Sequence, residues 1–136
     1  MKIRQDFVTN SSSTSFVISM KEDFTEDNFF KALRIEKNCR LSGLIKEMFK
    51  LIDQSKHDLE KALGSDFSSN NISNNVGSYP SQDEVIEVVK KLLAEKRKVY
   101  KGRFSDQSSL VEEFLCAYSL LINEDDIYFN AEAGYY

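Results

Sequence analysis

The sequence contains few of the residues that build metal centres and covalent catalytic sites. It has one histidine, two cysteines, one proline and no tryptophan. Cys39 and Cys116 lie far apart and form no Cys-x-x-Cys pair, so we expect two free thiols in a reducing compartment. Because His57 is the only imidazole, we expect no metal site and no bound cofactor.

Long apolar runs are also absent. A secretory signal needs about 7–15 consecutive apolar residues, and Arg4, Gln5 and Asp6 interrupt the first candidate. The longest nearly apolar run, residues 114–122, is about half of the roughly 20 residues that a membrane helix needs. We therefore expect a cytoplasmic protein with no membrane partner.

Size and composition are those of an ordinary folded domain. The chain has 136 residues, of which 41% are apolar and 29% charged, and a domain usually has on the order of 100 residues. We therefore expect one domain over residues 1–136. The formal charge of −4 favours solubility and mildly disfavours non-specific binding to nucleic acid.

Two segments near the N-terminus alternate between apolar and polar residues, which is typical of strands. The first covers residues 2–8 and the second covers residues 14–20. Residues 9–15 carry small hydroxyl or amide side chains, which favour turns because they hydrogen-bond to their own backbone. The pattern predicts an N-terminal β-hairpin with its turn around residues 10–13.

Helical spacing begins after this hairpin. Thr25 is a candidate N-cap followed by two acids, and the pattern predicts a helix from there to about Ile35 or Lys37. A second helix is predicted over residues 42–62, because its apolar residues recur at three and four positions.

Residues 64–80 interrupt the pattern with serine, asparagine, two glycines and the only proline. This composition buries little apolar surface, so it predicts a mobile loop. A capping box at residues 81–84 then predicts a third helix that ends near Gly102. A fourth helix is predicted after Ser105, with an apolar stripe that reaches Ile122.

The segment of Ile127, Tyr128 and Phe129 predicts a short strand near the C-terminus. A terminal strand buries its aromatic residues best by pairing beside the N-terminal hairpin. The sequence thus predicts an α+β fold, in which a small antiparallel sheet (N-terminal hairpin plus C-terminal strand) packs one face against three or four helices.

The Ser-rich block between the two N-terminal strands is the first candidate site. Backbone N–H groups and hydroxyls in a turn can hold an anion, and a purely structural turn is the alternative interpretation. The block has neither the glycines nor the lysine of a phosphate loop. The candidate binding residues are Asn10, Ser11, Ser12, Ser13 and Thr14.

Residues 2–16, KIRQDFVTNSSSTSF, resemble an N-terminal element of uncharacterised proteins from Gram-positive bacteria and their mobile elements. That element reads Lys-Ile-Arg-x-Asp-Phe-Val-Thr-Asn-Ser-Ser-Ser-x-Ser-Phe, and it carries no assigned activity. The resemblance implies a bacterial or phage-related source. It also favours recognition of this segment by a processing or modifying partner.

A basic segment over residues 84–103 is the second candidate site. The predicted third helix places cations on a stripe opposite its apolar face, and such a stripe can lie along phosphates. A solvated helix face, stabilised by cations near the helix C-terminus, is the alternative. The residues of this candidate nucleic-acid face are Lys90, Lys91, Arg97, Lys98, Lys101 and Arg103.

The sequence presents no catalytic motif, so we assign no catalytic residue. His57 lies four residues after Asp53 on the predicted second helix, which is the spacing of an exposed helical pair. A triad of these residues with Cys39 or Cys116 has no supporting motif. The acidic residues 124–126 lack the ligand spacing and the glycine of a calcium loop.

We therefore expect a non-enzymatic protein that binds another protein. A nucleic-acid-associated regulator that uses the basic helix is the first alternative. An enzyme whose site assembles from distant segments is the second. A homo-oligomer also stays open, because a terminal edge strand can pair across a twofold axis.

Overall fold

The chain folds around one antiparallel sheet. The computed structural model describes residues 2–4, 13–77, 79–105, 111 and 119–132. Within these residues the strands are β1 (Lys2–Arg4), β2 (Ser13–Met20), β3 (His57–Asp58), β4 (Val99–Ser105), β5 (Ser119–Asn123) and β6 (Ile127–Ala131). The helices are α1 (Glu26–Leu33), α2 (Ser42–Ser55), α3 (Leu59–Leu63), α4 (Ser69–Val76) and α5 (Gln82–Ala94). The α+β class predicted from the sequence is confirmed.

The strand order is β1-β5-β6-β2-β4-β3, and each neighbouring pair is antiparallel. Both predicted N-terminal strands are present in this sheet, and the C-terminal strand β6 lies beside β2, as predicted. However, β1 pairs with β5 and not with β2. The predicted direct pairing between the two N-terminal strands is therefore corrected.

The place of β2 inside the sheet, between β6 and β4, explains this correction. Phe16, Val17 and Ile18 are consecutive residues, and each is completely buried. A strand with one solvated face would alternate between buried and exposed residues, whereas a strand in a sheet that is covered on both faces is apolar on both faces. Because β4 and β6 occupy the two edges of β2, no edge of β2 remains for β1.

Helices cover both faces of the sheet, so the prediction that they cover one face is wrong. The first-face core lies against α1 and α2, and the second-face core lies against α3, α4 and α5. The physical reason is again burial on both sides, since all five residues of β6 are buried. From the sheet, the first-face core takes Phe16, Ile18, Met20, Phe104, Leu120, Ile122, Ile127, Phe129 and Ala131. The second-face core takes Val17, Val99 and Tyr128.

Helix α1 begins where the sequence predicts. The Thr25 hydroxyl accepts a hydrogen bond from the N–H of Asn28 at 3.1 Å. Such an N-cap satisfies one of the free N–H groups of the first turn. The predicted start of this helix is confirmed.

The end of α1 comes before the predicted Ile35 or Lys37. Arg34 adopts the left-handed backbone conformation, with φ 59°. The N–H groups of Arg34 and Ile35 then donate to the carbonyls of Lys31 and Phe30, respectively, each at 3.1 Å. This is the hydrogen-bond pattern of a Schellman motif, which ends a helix.

The single helix predicted over residues 42–62 is divided in two. The backbone becomes extended at Lys56 (φ −72°, ψ 144°), and β3 follows, paired with β4. The Asp58 carboxylate accepts a hydrogen bond from the N–H of Lys61 at 3.2 Å and so caps α3. The apolar spacing continues across the break, which is why the sequence pattern does not reveal it.

The loop predicted over residues 64–80 contains a helix, α4. The Ser68 hydroxyl accepts a hydrogen bond from the N–H of Asn71 at 3.3 Å and caps the helix. Ile72 and Val76 lie one turn apart and are buried in the second-face core. Their packing outweighs the weak helix propensity of the serines and asparagines around them.

Helix α5 begins after Ser81, as predicted, but the predicted capping box is not formed, because the Ser81 side chain makes no capping hydrogen bond. The helix ends before the predicted Gly102. Lys96 adopts the left-handed conformation, with φ 61°. The N–H groups of Lys96 and Arg97 donate to the carbonyls of Leu93 and Leu92, respectively, which makes a second Schellman motif. Strand β4 replaces the last predicted turns of the helix.

The fourth predicted helix falls mostly outside the described residues. Val111 is helical and packs against the first-face core. Leu121 and Ile122, which the apolar stripe placed at the end of this helix, lie in β5 and pair with Asn130 and Phe129 of β6. That end of the predicted helix is therefore corrected to a strand.

Candidate functional site

A polar cleft of about 510 Å³ lies on the second face of the sheet. Ser15 of β2 lies opposite Arg103 of β4, while Lys101 of β4 lies between Val17 of β2 and His57 of β3. Residues opposite each other, and residues two apart on one strand, project to the same face. The floor of the cleft therefore brings together Ser15, His57, Lys101 and Arg103, beside the second-face core.

The C-terminal end of α4 forms one wall of the cleft. Gly77, which follows this helix, has φ 89°, a conformation that favours glycine. A Cβ atom at this position would lie 2.5 Å from Oγ of Ser15, so the wall approaches the floor closely. The other lining residues are Ser55, Asn74, Asn75, Val76 and Gly102.

The charged side chains of the cleft are all cationic. Among the described lining residues there is no Asp or Glu. Nζ of Lys101 donates to the neutral Oδ1 of Asn75 at 3.3 Å, and no carboxylate of the described residues pairs with it. Arg103 is exposed. The cleft is therefore a positive region in a protein whose formal net charge is −4, and it favours an anionic ligand.

Of the predicted binding residues in the Ser-rich block, only the last two lie within the described residues. Asn10, Ser11 and Ser12 lie outside the described residues. Ser13 and Thr14 are in β2, so Ser13 lies in a strand and not in the predicted turn, while Thr14 lies in a strand as predicted. Thr14 is only 3% exposed, which removes it from any binding surface. Binding by the other four residues stays a prediction.

The six cations predicted to share one helix face do not share it, because α5 ends before four of them. Nζ of Lys90 donates to Oγ of Ser69 at 2.6 Å, and Nζ of Lys98 lies 3.5 Å from Oδ2 of Asp58. The candidate residues occupy three places: α5 carries Lys90 and Lys91, the connection to β4 carries Arg97 and Lys98, and β4 carries Lys101 and Arg103. Only the last pair lines the polar cleft.

A second cleft, of about 620 Å³, includes Met20 at the opposite end of β2. Its lining residue Arg97 donates to the carbonyl oxygens of Ser19 at 3.4 Å and Asp125 at 3.2 Å. Its charges are balanced, because its ionisable lining residues include four cations and four carboxylates. These are Lys21, Lys96, Arg97 and Lys98, with Glu22, Asp23, Glu95 and Asp125.

The residues weighed for catalysis are not assembled. His57 lies in β3, and the carboxylate of Asp53 pairs with Lys56, so the predicted helical pair of His57 and Asp53 is wrong. Cys39 is a free, half-buried thiol, and Cys116 lies outside the described residues. The described part of the chain contains no group of three or more His, Cys, Asp or Glu that could hold a metal ion.

Two tyrosines with perturbed hydroxyls belong to the second-face core and do not line the polar cleft. Burial raises the pKa of Tyr79 far above its usual range and also raises the pKa of Tyr128. The hydroxyl of Tyr128 accepts a hydrogen bond from Nδ2 of Asn130 at 3.0 Å. The hydroxyl of Tyr79 has no hydrogen-bond partner among the described residues. Both phenols therefore stay neutral at physiological pH.

Lys101 and Arg103 were predicted as binding residues from the sequence, but the residues that lie beside them in the cleft were not. His57 enters the cleft because β3 pairs with β4, and Ser15 enters because β2 pairs with β4. The wall comes from α4, which the sequence pattern assigned to a loop. The alternation of the two cations around Gly102 was the available signal for a strand.

Comparisons with protein-family models, with curated proteins and with solved structures found no match. In the described part of the chain, no helix is long and apolar enough to cross a membrane.

Proposed function

We propose that this protein is a non-catalytic binding protein that holds an acidic segment of another protein in the polar cleft. The observation that carries the proposal is the single sign of charge at this opening. Lys101 and Arg103 line it with no carboxylate among the described lining residues. An acidic partner complements this charge and is attracted to it over a distance.

A nucleic-acid-binding function has less support. The affinity of such proteins comes largely from cations that neutralise several phosphates along the strand. The helical stripe that would follow the phosphates is not formed, because α5 ends at Ala94. Two cations at one opening suit a single anionic group better than they suit an extended backbone.

The hydroxyls of the cleft also favour binding over catalysis. A serine nucleophile is activated by a hydrogen-bonded base, which a third group orients. Ser15 and Ser55 share the cleft with His57, but neither acid near it in the sequence is available to orient it. Asp53 pairs with Lys56, and Asp58 caps α3 and lies 3.5 Å from Nζ of Lys98. The hydroxyls and the imidazole serve in this proposal as hydrogen-bonding groups for the ligand.

The Ser-rich N-terminal block belongs to the same proposal. It enters β2 at Ser13, two residues before Ser15 of the cleft floor. We extend the partner-binding surface along the chain to Asn10, Ser11 and Ser12. This extension agrees with the recognition role that the resemblance of residues 2–16 implies.

Charge reversal tests the proposal. The cleft variant combines Lys101→Glu with Arg103→Glu, and the matched control combines Lys90→Glu with Lys91→Glu on α5. Each immobilised protein is incubated with extract from cells that express it naturally, and the retained proteins are quantified by mass spectrometry. Circular dichroism verifies that both variants are folded.

We expect partners that the wild type and the control retain equally and that the cleft variant retains about tenfold less, which corresponds to about 1.4 kcal/mol of binding energy. The retained proteins should be released by high salt, because the contact is between exposed charges. Equal retention by the cleft variant would contradict the proposal. A loss confined to the Lys90 and Lys91 variant would instead favour the basic face of α5.

A further inference from the structure

We infer that the group bound in the polar cleft is a phosphate monoester on a side chain of the partner protein. This inference rests on the proposed function and deepens it, because it names the chemical group that the cleft recognises. It uses the charge of the cleft, the geometry of its donors and the close approach of its wall.

The charge of the cleft matches a phosphate monoester better than a single carboxylate. Lys101 and Arg103 supply two positive charges, and the described lining contains no acid. A phosphorylated side chain carries about −1.5 to −2 charges at pH 7, whereas a carboxylate carries one. A phosphate group therefore balances both cations at once.

The spacing of the two cations suits a group that offers several oxygens. Lys101 and Arg103 are two residues apart on β4, and this places their Cα atoms about 7 Å apart on one face of the strand. Their long side chains can converge on one ion. The planar guanidinium of arginine pairs with two oxygens of a phosphate, and the lysine ammonium approaches as a point charge.

Neutral donors surround the cations. The cleft is also lined by Ser15, Ser55 and Asn74, whose side chains carry hydroxyl and amide donors. Phosphate has three terminal oxygens that accept strong hydrogen bonds, and this donor set exceeds what one carboxylate can use. The Asn75 side chain is not one of these donors, because its Nδ2 group donates to Asn71. Its Oδ1 atom accepts from Lys101 and so positions that cation.

The backbone at Gly77 brings the wall close to the floor. Because a side chain at this position would collide with Ser15, glycine lets the end of α4 lie directly beside the floor of the cleft. Phosphoserine carries its phosphate on a short side chain, and it is the form of the phosphate monoester that we test.

A nuclear magnetic resonance titration tests the inference with small probes. The ¹⁵N-labelled full chain is titrated at low salt with a blocked tripeptide that carries phosphoserine between two glycines. A matched tripeptide with glutamate, and inorganic phosphate alone, are the comparison probes. The variants are Lys101→Gln with Arg103→Gln, and Lys90→Gln with Lys91→Gln as the control.

We expect the phosphoserine peptide to shift the amide signals of residues 75–77 and 101–103, with an affinity at least about tenfold above that of the glutamate peptide. The shifts should vanish in the cleft variant and persist in the control.

Equal affinity for the two peptides would overturn the phosphate assignment and leave the proposed acidic partner in place. Tighter binding of inorganic phosphate than of the phosphoserine peptide would overturn the assignment to a partner protein. Shifts confined to other residues, or no shifts with any probe, would overturn the inference entirely, while the retention experiment judges the proposed function separately.

Discussion

Removal of the Tyr79 hydroxyl should stabilise the protein. This hydroxyl is buried and has no hydrogen-bond partner among the described residues, and such a group costs about 1–3 kcal/mol. In Tyr79→Phe the ring keeps its place in the second-face core while the unpaired hydroxyl is lost. We expect a gain of about 1 kcal/mol in the free energy of unfolding at pH 7.

The same variant should also resist alkali better than the wild type. Burial raises the pKa of Tyr79 in the folded state, whereas an unfolded tyrosine ionises near pH 10. The folded state therefore holds its proton while the unfolded state loses one, so stability is complete below pH 10 and falls as the pH rises above it. At pH 11 this costs the wild type about 1.4 kcal/mol, and the phenylalanine variant avoids that loss.

Urea unfolding followed by far-ultraviolet circular dichroism measures both effects, at pH 7 and pH 11. Tyr128→Phe is the comparison variant, because the Tyr128 hydroxyl has a partner in Asn130. Loss of the Tyr128 hydroxyl should lower the free energy of unfolding at pH 7 by about 1 kcal/mol. Two results would refute the reasoning. One is a Tyr79→Phe variant that is less stable than the wild type at pH 7. The other is a variant whose free energy of unfolding falls between pH 7 and pH 11 by as much as that of the wild type.

Three further substitutions test the fold by thermal or urea unfolding. In Gly102→Ala the new Cβ atom would lie 2.3 Å from the ring of Phe16, so we expect a loss of about 1–3 kcal/mol, and an unchanged midpoint would contradict this packing. Arg34→Gly relieves a left-handed backbone conformation and should raise stability by about 0.5–1 kcal/mol, whereas a decrease would show that the arginine side chain contributes more. Thr25→Ala removes the N-cap of α1 and should lower the free energy of unfolding by about 1 kcal/mol. Thr25→Ser keeps the hydroxyl and should retain most of the stability of the wild type.

The elements that were predicted correctly are those that depend on residues close to them in the sequence. The start of α1 follows from the Thr25 side chain, and β6 follows from its run of β-prone residues. The end of α5 was not predicted, because its left-handed residue is Lys96 and not the glycine that usually marks such an end. Helix α4 was missed because the burial of Ile72 and Val76, rather than helix propensity, stabilises it.

The cleft could be predicted only in part, because it depends on contacts between distant segments. Lys101 and Arg103 were recognised as candidates, but the helical interpretation placed them with cations that lie elsewhere. Their true neighbours, Ser15 and His57, are brought to them by strand register. Because β4 and β6 occupy both edges of β2, β1 pairs with β5 instead.

The most direct test of the central claim is a site-specific crosslink from the cleft to its partner. His57 is exposed at the cleft, so p-benzoylphenylalanine replaces it there, and the same residue replaces Lys91 on α5 as the control. After irradiation in cells that express the protein, mass spectrometry identifies the attached peptide. We predict an adduct at position 57 alone, on a peptide that carries a phosphorylated or acidic side chain beside the attachment point. Equal adducts at both positions, or a basic peptide at position 57, would contradict the claim.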